Sequence, residues 1–178
     1  MIYTIQYTTD FTEPAFQTAF RTYFGELGCR VTNWDGLFAA MGETGREYTW
    51  THRDNAGRMT RFVSGISADE RDHAFLFREE NGDVAGFIQF TTIDMGSWFF
   101  TAKCGFIREF WIRADLRRRG HGSELLREAE EWFREQGCFG ILLTTVTAPG
   151  FYCKHGYTHQ EGIEARNKEA VFTKMLTK

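Results

Sequence analysis

Proline is nearly absent: the 178 residues hold only 2, Pro14 and Pro149. There are no proline-rich linkers, low-complexity tracts or internal repeats to divide the chain. Cysteine is scarce as well. Cys29, Cys104, Cys138 and Cys153 are far apart, with no C-x-x-C pair and no nearby histidine pattern. That spacing gives neither a zinc site nor a disulfide framework, so free thiols and no metal are expected. No apolar run approaches a membrane span, because Arg, Glu, Lys or Asp interrupts every candidate. Met1 to Tyr7 lacks the basic start and apolar block of a signal peptide and reads as a first strand. A cytoplasmic protein with no membrane partner is the expectation. A basic surplus is missing too: 21 Lys and Arg face 24 Asp and Glu, a net charge of −3. Nothing global therefore favours nucleic acid. Residues 1–73 hold 7 of the basic and 10 of the acidic side chains, so the acidic excess lies in the N-terminal part. That suits a cationic or amine substrate entering from that side.

Apolar residues make up 42% of the chain, enough for one sizeable core, and residues 1–178 read as a single domain. Residues 2–8 alternate as a strand does. Asp10 or Thr12 can cap a helix with apolar positions at Ala15, Phe16, Ala19, Phe20, Tyr23, Phe24 and Leu27, ended by Gly28. A second helix fits residues 33–45, and a short one fits 58–66. Residues 74–78 and 84–93 read as a hairpin across Glu80-Asn81-Gly82-Asp83. Asp94 to Ser97 then turns the chain. A long or broken strand is expected over 98–113, with Gly105 marking a bulge. A helix over 121–136, a buried strand over 141–146 and a short helix from Pro149 to about His155 follow. Two closing strands are expected at 157–163 and 169–176.

The segment with the most chemistry is Arg117-Arg118-Arg119-Gly120-His121-Gly122, between the apolar stretch 106–112 and the helical pattern from Ser123. A strand, a basic glycine turn and a helix together make an anion cradle. Glycines admit close backbone approach, and first-turn N–H groups point at the anion. Arginines add charge-assisted contacts at the rim. Taken alone, an ordinary strand-to-helix turn with solvated arginines explains the same residues.

Two motifs in order distinguish these readings. Arg117-x-x-Gly120-x-Gly122 resembles the (Arg/Gln)-x-x-Gly-x-(Gly/Ala) loop of the GCN5-related N-acetyltransferase (GNAT) family, which holds the coenzyme A pyrophosphate. About thirty residues later, Ala148-Pro149-Gly150-Phe151-Tyr152-Cys153-Lys154-His155-Gly156-Tyr157 resembles the family's A-x-x-F-Y-E-K-x-G-F signature. The motifs cover about residues 106–157; the N-terminal third agrees in layout only. The resemblance implies an α+β fold: a central mixed, mostly antiparallel sheet of about seven strands flanked by about four helices.

It also implies an N-acetyltransferase with acetyl-CoA as cosubstrate and a primary amine, on a small molecule or a peptide, as acceptor. By resemblance, the backbone N–H groups of Arg118, Arg119, Gly120, His121, Gly122 and Ser123 hold the pyrophosphate, with Arg117 at the motif's first position. Gly120 and Gly122 are where a side chain would block the approach. Phe110, Trp111 and Ile112 offer backbone groups to the pantetheine arm. Thr145 stands where an asparagine often binds that arm, and Cys153 replaces the usual glutamate. Tyr152 matches the tyrosine that lies near the thioester sulfur. A phenol with a pKa near 10 is protonated at neutral pH and can protonate a thiolate. Glu109 is a candidate base or ammonium binder during direct attack; pairing with Arg108 or Arg113 is its ordinary alternative. His155 and His159 are further bases by pKa alone. Trp98-Phe99-Phe100 gives any strand there two apolar faces, one of which would line the acceptor pocket or meet a partner subunit in a homodimer. A catalytically silent CoA-binding sensor of the same fold stays open as the alternative reading.

Overall fold

The computed structural model describes residues 2–42, 47–53, 59–65, 71–96 and 101–176. In chain order these form β1 (Tyr3–Thr8), α1 (Pro14–Glu26), α2 (Trp34–Met41), β2 (Glu47–Arg53), β3 (Met59–Gly65), β4 (His73–Glu79), β5 (Val84–Gly96) and β6 (Thr101–Ile112). After a 3-10 turn at Ala114–Leu116 come α3 (His121–Glu135), β7 (Gly140–Thr145), α4 (Pro149–Lys154), β8 (Thr158–His159), β9 (Ile163–Glu164) and β10 (Ala170–Met175). The fold is α+β, a mixed and mostly antiparallel sheet with four α-helices among the described residues. The expected core of about seven strands is there, and β2, β3 and the two-residue β9 extend it. No helix among the described residues is long and apolar enough to cross a membrane.

The chain divides into two compact units, and β5, β6 and α3 each contribute residues to both. The first comprises Met1–Glu43, Arg71–Phe90 and Glu109–Glu130. Here β1 pairs antiparallel with β4, from Tyr3↔Glu79 to Thr8↔Ala74. In turn β4 pairs antiparallel with β5, with a register shift between Phe77 and Arg78. Helical spacing buries Phe16, Ala19 and Phe20 of α1, and the rings of Phe16 and Phe20 each lie 5.4 Å from Phe87 of β5. Each such aromatic contributes about 1.5–3 kcal/mol by leaving water. Neither Asp10 nor Thr12 caps α1: the N-cap is Glu13, without a side-chain cap bond, and Pro14 occupies the first turn. Asp10 Oδ1 instead accepts from the Thr12 N–H at 3.0 Å, a local turn that competes with capping. The hairpin turn is as expected, with Gly82 at φ +92 and its N–H donating to the Glu79 carbonyl.

The second unit comprises Thr44–Glu70, Thr91–Arg108 and Glu131–Lys178. The expected helix at 58–66 is a strand: β3 pairs with β2 from Glu47↔Gly65 to Arg53↔Met59. Cross-strand pairing decides this segment, and no local helical pattern records it. The turn expected at Asp94 to Ser97 is also absent through Gly96, because β5 runs on to pair with β3. Trp98-Phe99-Phe100 lies outside the described residues. Gly105 marks no bulge, since its register with β7 is regular from Cys104↔Gly140 to Phe106↔Leu142. A Cβ there would lie 2.7–2.9 Å from ring carbons of Phe133, so the glycine admits that ring against the strand. The expected strand 157–163 is two short pieces: β8 pairs with β10, and β9 with β2.

The cysteines are free, Cys29 and Cys153 exposed, Cys104 and Cys138 buried. Burial, with Cys138 nearby, pushes the Cys104 thiol up to about 12. A thiol-reactive probe at pH 8 is therefore expected to label Cys29 and Cys153 in the folded protein and Cys104 only after unfolding, read by peptide mass spectrometry. Because the folded value is the higher one, this contribution to stability is complete below pH 9 and is lost as pH rises toward 12.

Candidate functional site

The cradle residues sit in the first unit. The Arg113 N–H donates to the Ala85 carbonyl at 2.8 Å, which fastens the end of β6 beside β5. Gly86 lets them approach: a Cβ there would lie 2.6 Å from Ile112 Cδ1 and 3.0 Å from the Trp111 carbonyl. After the 3-10 turn, Arg118 takes φ +63 and Gly120 φ +86, and α3 starts at His121. The Glu124 N–H donates to the Gly120 carbonyl at 3.1 Å, the first bond of the helix. Upstream of it, the N–H groups of the helix's first residues have no acceptor within the helix. The helix dipole adds partial positive charge at that end.

Gly120 meets two separate conditions. Its φ is one that L residues rarely adopt, and an added Cβ would meet nothing within 4 Å. The conformation demands glycine, and the space beside it is open to a ligand. Arg118 and Arg119 are exposed at the rim. A pyrophosphate fits this donor set. The expected place of Arg117 needs qualification. Its Nε donates to the Ile112 carbonyl at 2.7 Å and its Nη2 to Glu26 Oε2 at 2.7 Å. Its guanidinium thus binds this chain's own acceptors.

The strand leading into the loop turns alternate residues to opposite faces. Trp111 is 6% exposed and packs in the α1 core, with its indole Nε1 donating to Glu26 Oε2 at 3.0 Å. Glu109 is half-buried and accepts a hydrogen bond from the Tyr23 hydroxyl of α1. Arg113 does not pair with Glu109; it binds Asp115 at 2.7 Å and also Glu79. Arg113 holds the Asp115 carboxyl below its ordinary value. Ile112 and Phe110 are half-buried on the same strand. The side chain of His121 packs on the rings of Phe77 and Tyr3, at 4.6 and 5.5 Å.

Thr145 and Tyr152 lie in the second unit. There β6 and β7 form a parallel pair whose ladder reaches Phe106 and Leu142, while β7 continues to Thr145. Thr145 is buried, and its Oγ1 accepts from the Ala148 N–H at 3.2 Å, which shapes the turn into α4. Tyr152 is 6% exposed on α4, its ring 5.3 Å from Phe151 and 5.5 Å from Tyr157. Cys153 is exposed on the same short helix. His155 packs on Phe151 at 4.7 Å, and His159 stacks on Phe172 at 5.2 Å.

The contacts of Tyr23 with Glu109 and of Glu26 with Trp111 were not read from the sequence. Tyr23 reads from sequence as one more apolar-face position of α1, and no local pattern singles out Glu26. Their partners lie 86 and 85 residues away, beyond the reach of local periodicity.

Known proteins share the fold. No curated protein matches the chain. Among solved structures, a GNAT-family acetyltransferase from Staphylococcus aureus Mu50 has 12% identity and a TM-score of 0.62, over 99% of this chain and 100% of that one. The NatC complex bound to Gag peptide and CoA contains a chain with 11% identity and a TM-score of 0.63, over 99% and 100%. An aminoglycoside acetyltransferase from an uncultured soil metagenomic sample, in complex with sisomicin, has 11% identity and a TM-score of 0.55, over 86% and 84%. At these identities the likeness is one of fold. Residues 17–157 match the acetyltransferase (GNAT) family, a span that takes in most of α1, the Gly120 loop and α4. This chain therefore belongs to the GNAT acetyltransferase family, whose chemistry is acyl transfer from acyl-CoA.

Proposed function

We propose that the chain, acting as one catalytic domain over residues 1–178, moves an acetyl group from acetyl-CoA to a primary amine of a small molecule or peptide. The carrying observation is the loop itself: Gly120 at φ +86, open space where its Cβ would be, and a helix N-terminus directly after it. The N–H groups from Arg118 to Ser123 hold the pyrophosphate, with Arg118 and Arg119 adding charge at the rim. The backbone of Phe110, Trp111 and Ile112 takes the pantetheine arm as an added strand, and the Thr145 hydroxyl offers that arm a hydrogen bond. Acetyl-CoA supplies an activated thioester. Glu109 binds the ammonium or accepts its proton, which frees the lone pair for attack on the carbonyl carbon. Tyr152 Oη gives its proton to the sulfur as the carbon–sulfur bond breaks. Two proteins of this fold are known with a Gag peptide and CoA, and with the aminoglycoside sisomicin, which supports an amine acceptor of either size. A cytoplasmic location would supply acetyl-CoA.

Acetyl-CoA turnover against polyamines, aminoglycosides, amino acids and peptides tests the reading. No turnover on any of these, with CoA still bound, would favour the silent sensor. Glu109→Gln keeps an acceptor for the Tyr23 hydroxyl and loses the charge. It is expected to lower turnover about 10²-fold at neutral pH. If Glu109 is the base, activity partly recovers at higher pH as free amine accumulates. A pH–rate profile superimposable on wild type at full rate would rule out both roles of Glu109.

A further inference from the structure

We propose that Glu26, the last residue of α1, is a positioning residue for the cofactor loop, acting through Arg117 and Trp111. This deepens the proposed CoA-binding role of the loop and rests on it. One carboxylate oxygen, Glu26 Oε2, accepts from the Trp111 indole at 3.0 Å and from Arg117 Nη2 at 2.7 Å. The same guanidinium donates through Nε to the Ile112 carbonyl at 2.7 Å. These bonds join the end of α1, the end of β6 and the start of the loop. Trp111 is 6% exposed, so its indole is a fixed point, and the carboxylate is held from that side before Arg117 reaches it.

The loop needs such a strut. Arg117 leaves the 3-10 turn extended, at φ −71 and ψ 155, and two of the next three residues have positive φ. A non-glycine residue at φ +63, as at Arg118, persists where its surroundings hold it. Arg117 is the residue immediately before it. An arginine serving chiefly as an anion ligand would turn its guanidinium to the ligand. Here Nε and Nη2 are directed to the protein's own oxygens. The pair is half-exposed, Arg117 at 48% and Glu26 at 39%, so it adds little to global stability. Its effect belongs to the shape of the loop, and so to cofactor affinity.

The test compares Glu26→Ala, Glu26→Gln, Arg117→Ala and the double alanine variant by calorimetry with CoA and by steady-state kinetics with acetyl-CoA. Both single alanine variants are expected to weaken CoA binding about five- to tenfold, the scale of one net hydrogen bond or slightly more. The KM for acetyl-CoA rises with kcat unchanged. The double variant is no worse than either single one, as for residues acting as a unit. Glu26→Gln, which keeps an acceptor oxygen, recovers most of the affinity. Arg117→Ala keeps the wild-type dependence of affinity on ionic strength, because its charge does not face the anion. In the cofactor-free protein, the Trp111 indole N–H resonance shifts in Glu26→Ala. Additive losses with a flatter salt dependence in Arg117→Ala would make Arg117 a direct anion ligand and overturn the proposal. Unchanged CoA affinity in Glu26→Ala, with the wild type binding normally, would overturn this proposal alone. Failure of the wild type to bind CoA would overturn the loop reading as well.

Discussion

Tyr152→Phe is expected to fold and bind acetyl-CoA normally while losing roughly 10²–10⁴-fold in turnover, the usual scale for a general acid. The substitution removes one oxygen and keeps the ring. That ring is 6% exposed and packed between Phe151 and Tyr157, so phenylalanine fills the same space. Losing one buried hydroxyl costs about 1 kcal/mol of stability, which a melting curve resolves and which does not unfold a domain. Single-turnover kinetics, measured where chemistry limits the rate, separate the donor role from packing. Near-full turnover in the phenylalanine variant would leave Tyr152 as a core residue and pass the proton to water or a histidine.

Gly120→Val and Gly122→Val are each expected to weaken CoA binding by well over tenfold while the fold persists. At Gly120 two effects combine. A β-branched residue at φ +86 costs roughly 1–2 kcal/mol of backbone strain. The side chain also enters space that is open in the protein and that the proposal gives to the pyrophosphate. Gly120→Asn separates them, since asparagine tolerates the left-handed region but still fills the space. Asparagine should restore the melting temperature and leave CoA affinity low. Calorimetry showing wild-type affinity in both valine variants would remove the loop from the cofactor site.

The parts of the site legible in the sequence are those set by short-range geometry. The glycine turn before α3 was readable because φ +86 and a helix start depend on a few neighbouring residues. The strand into it and the short helix carrying Tyr152 were readable for the same reason. Where the sequence misled, a distant partner decided. Residues 59–65 carried weak local preference and became β3 because β2 offers seven cross-strand partners. Asp10 was a plausible cap by type, yet its carboxylate was taken by Thr12 two residues on. Gly105 looked like a bulge and is a close-approach position for Phe133.

Local composition thus determined the α1 core face, the helix start just after Gly120 and the placing of Tyr152 just past a buried strand. Helix periodicity, turn dihedrals and the strand-to-turn-to-helix layout are all written within about ten residues of chain. Only the tertiary structure decided which groups meet Glu109, Trp111 and Arg117. Tyr23 reaches Glu109 and Glu26 reaches Arg117 across separations of 86 and 91 residues. Such contacts form because the apolar face of α1 packs its aromatic rings on β5, which brings the polar residues of its last turn to the end of β6. No pattern in either segment encodes that meeting; the packing of the core does.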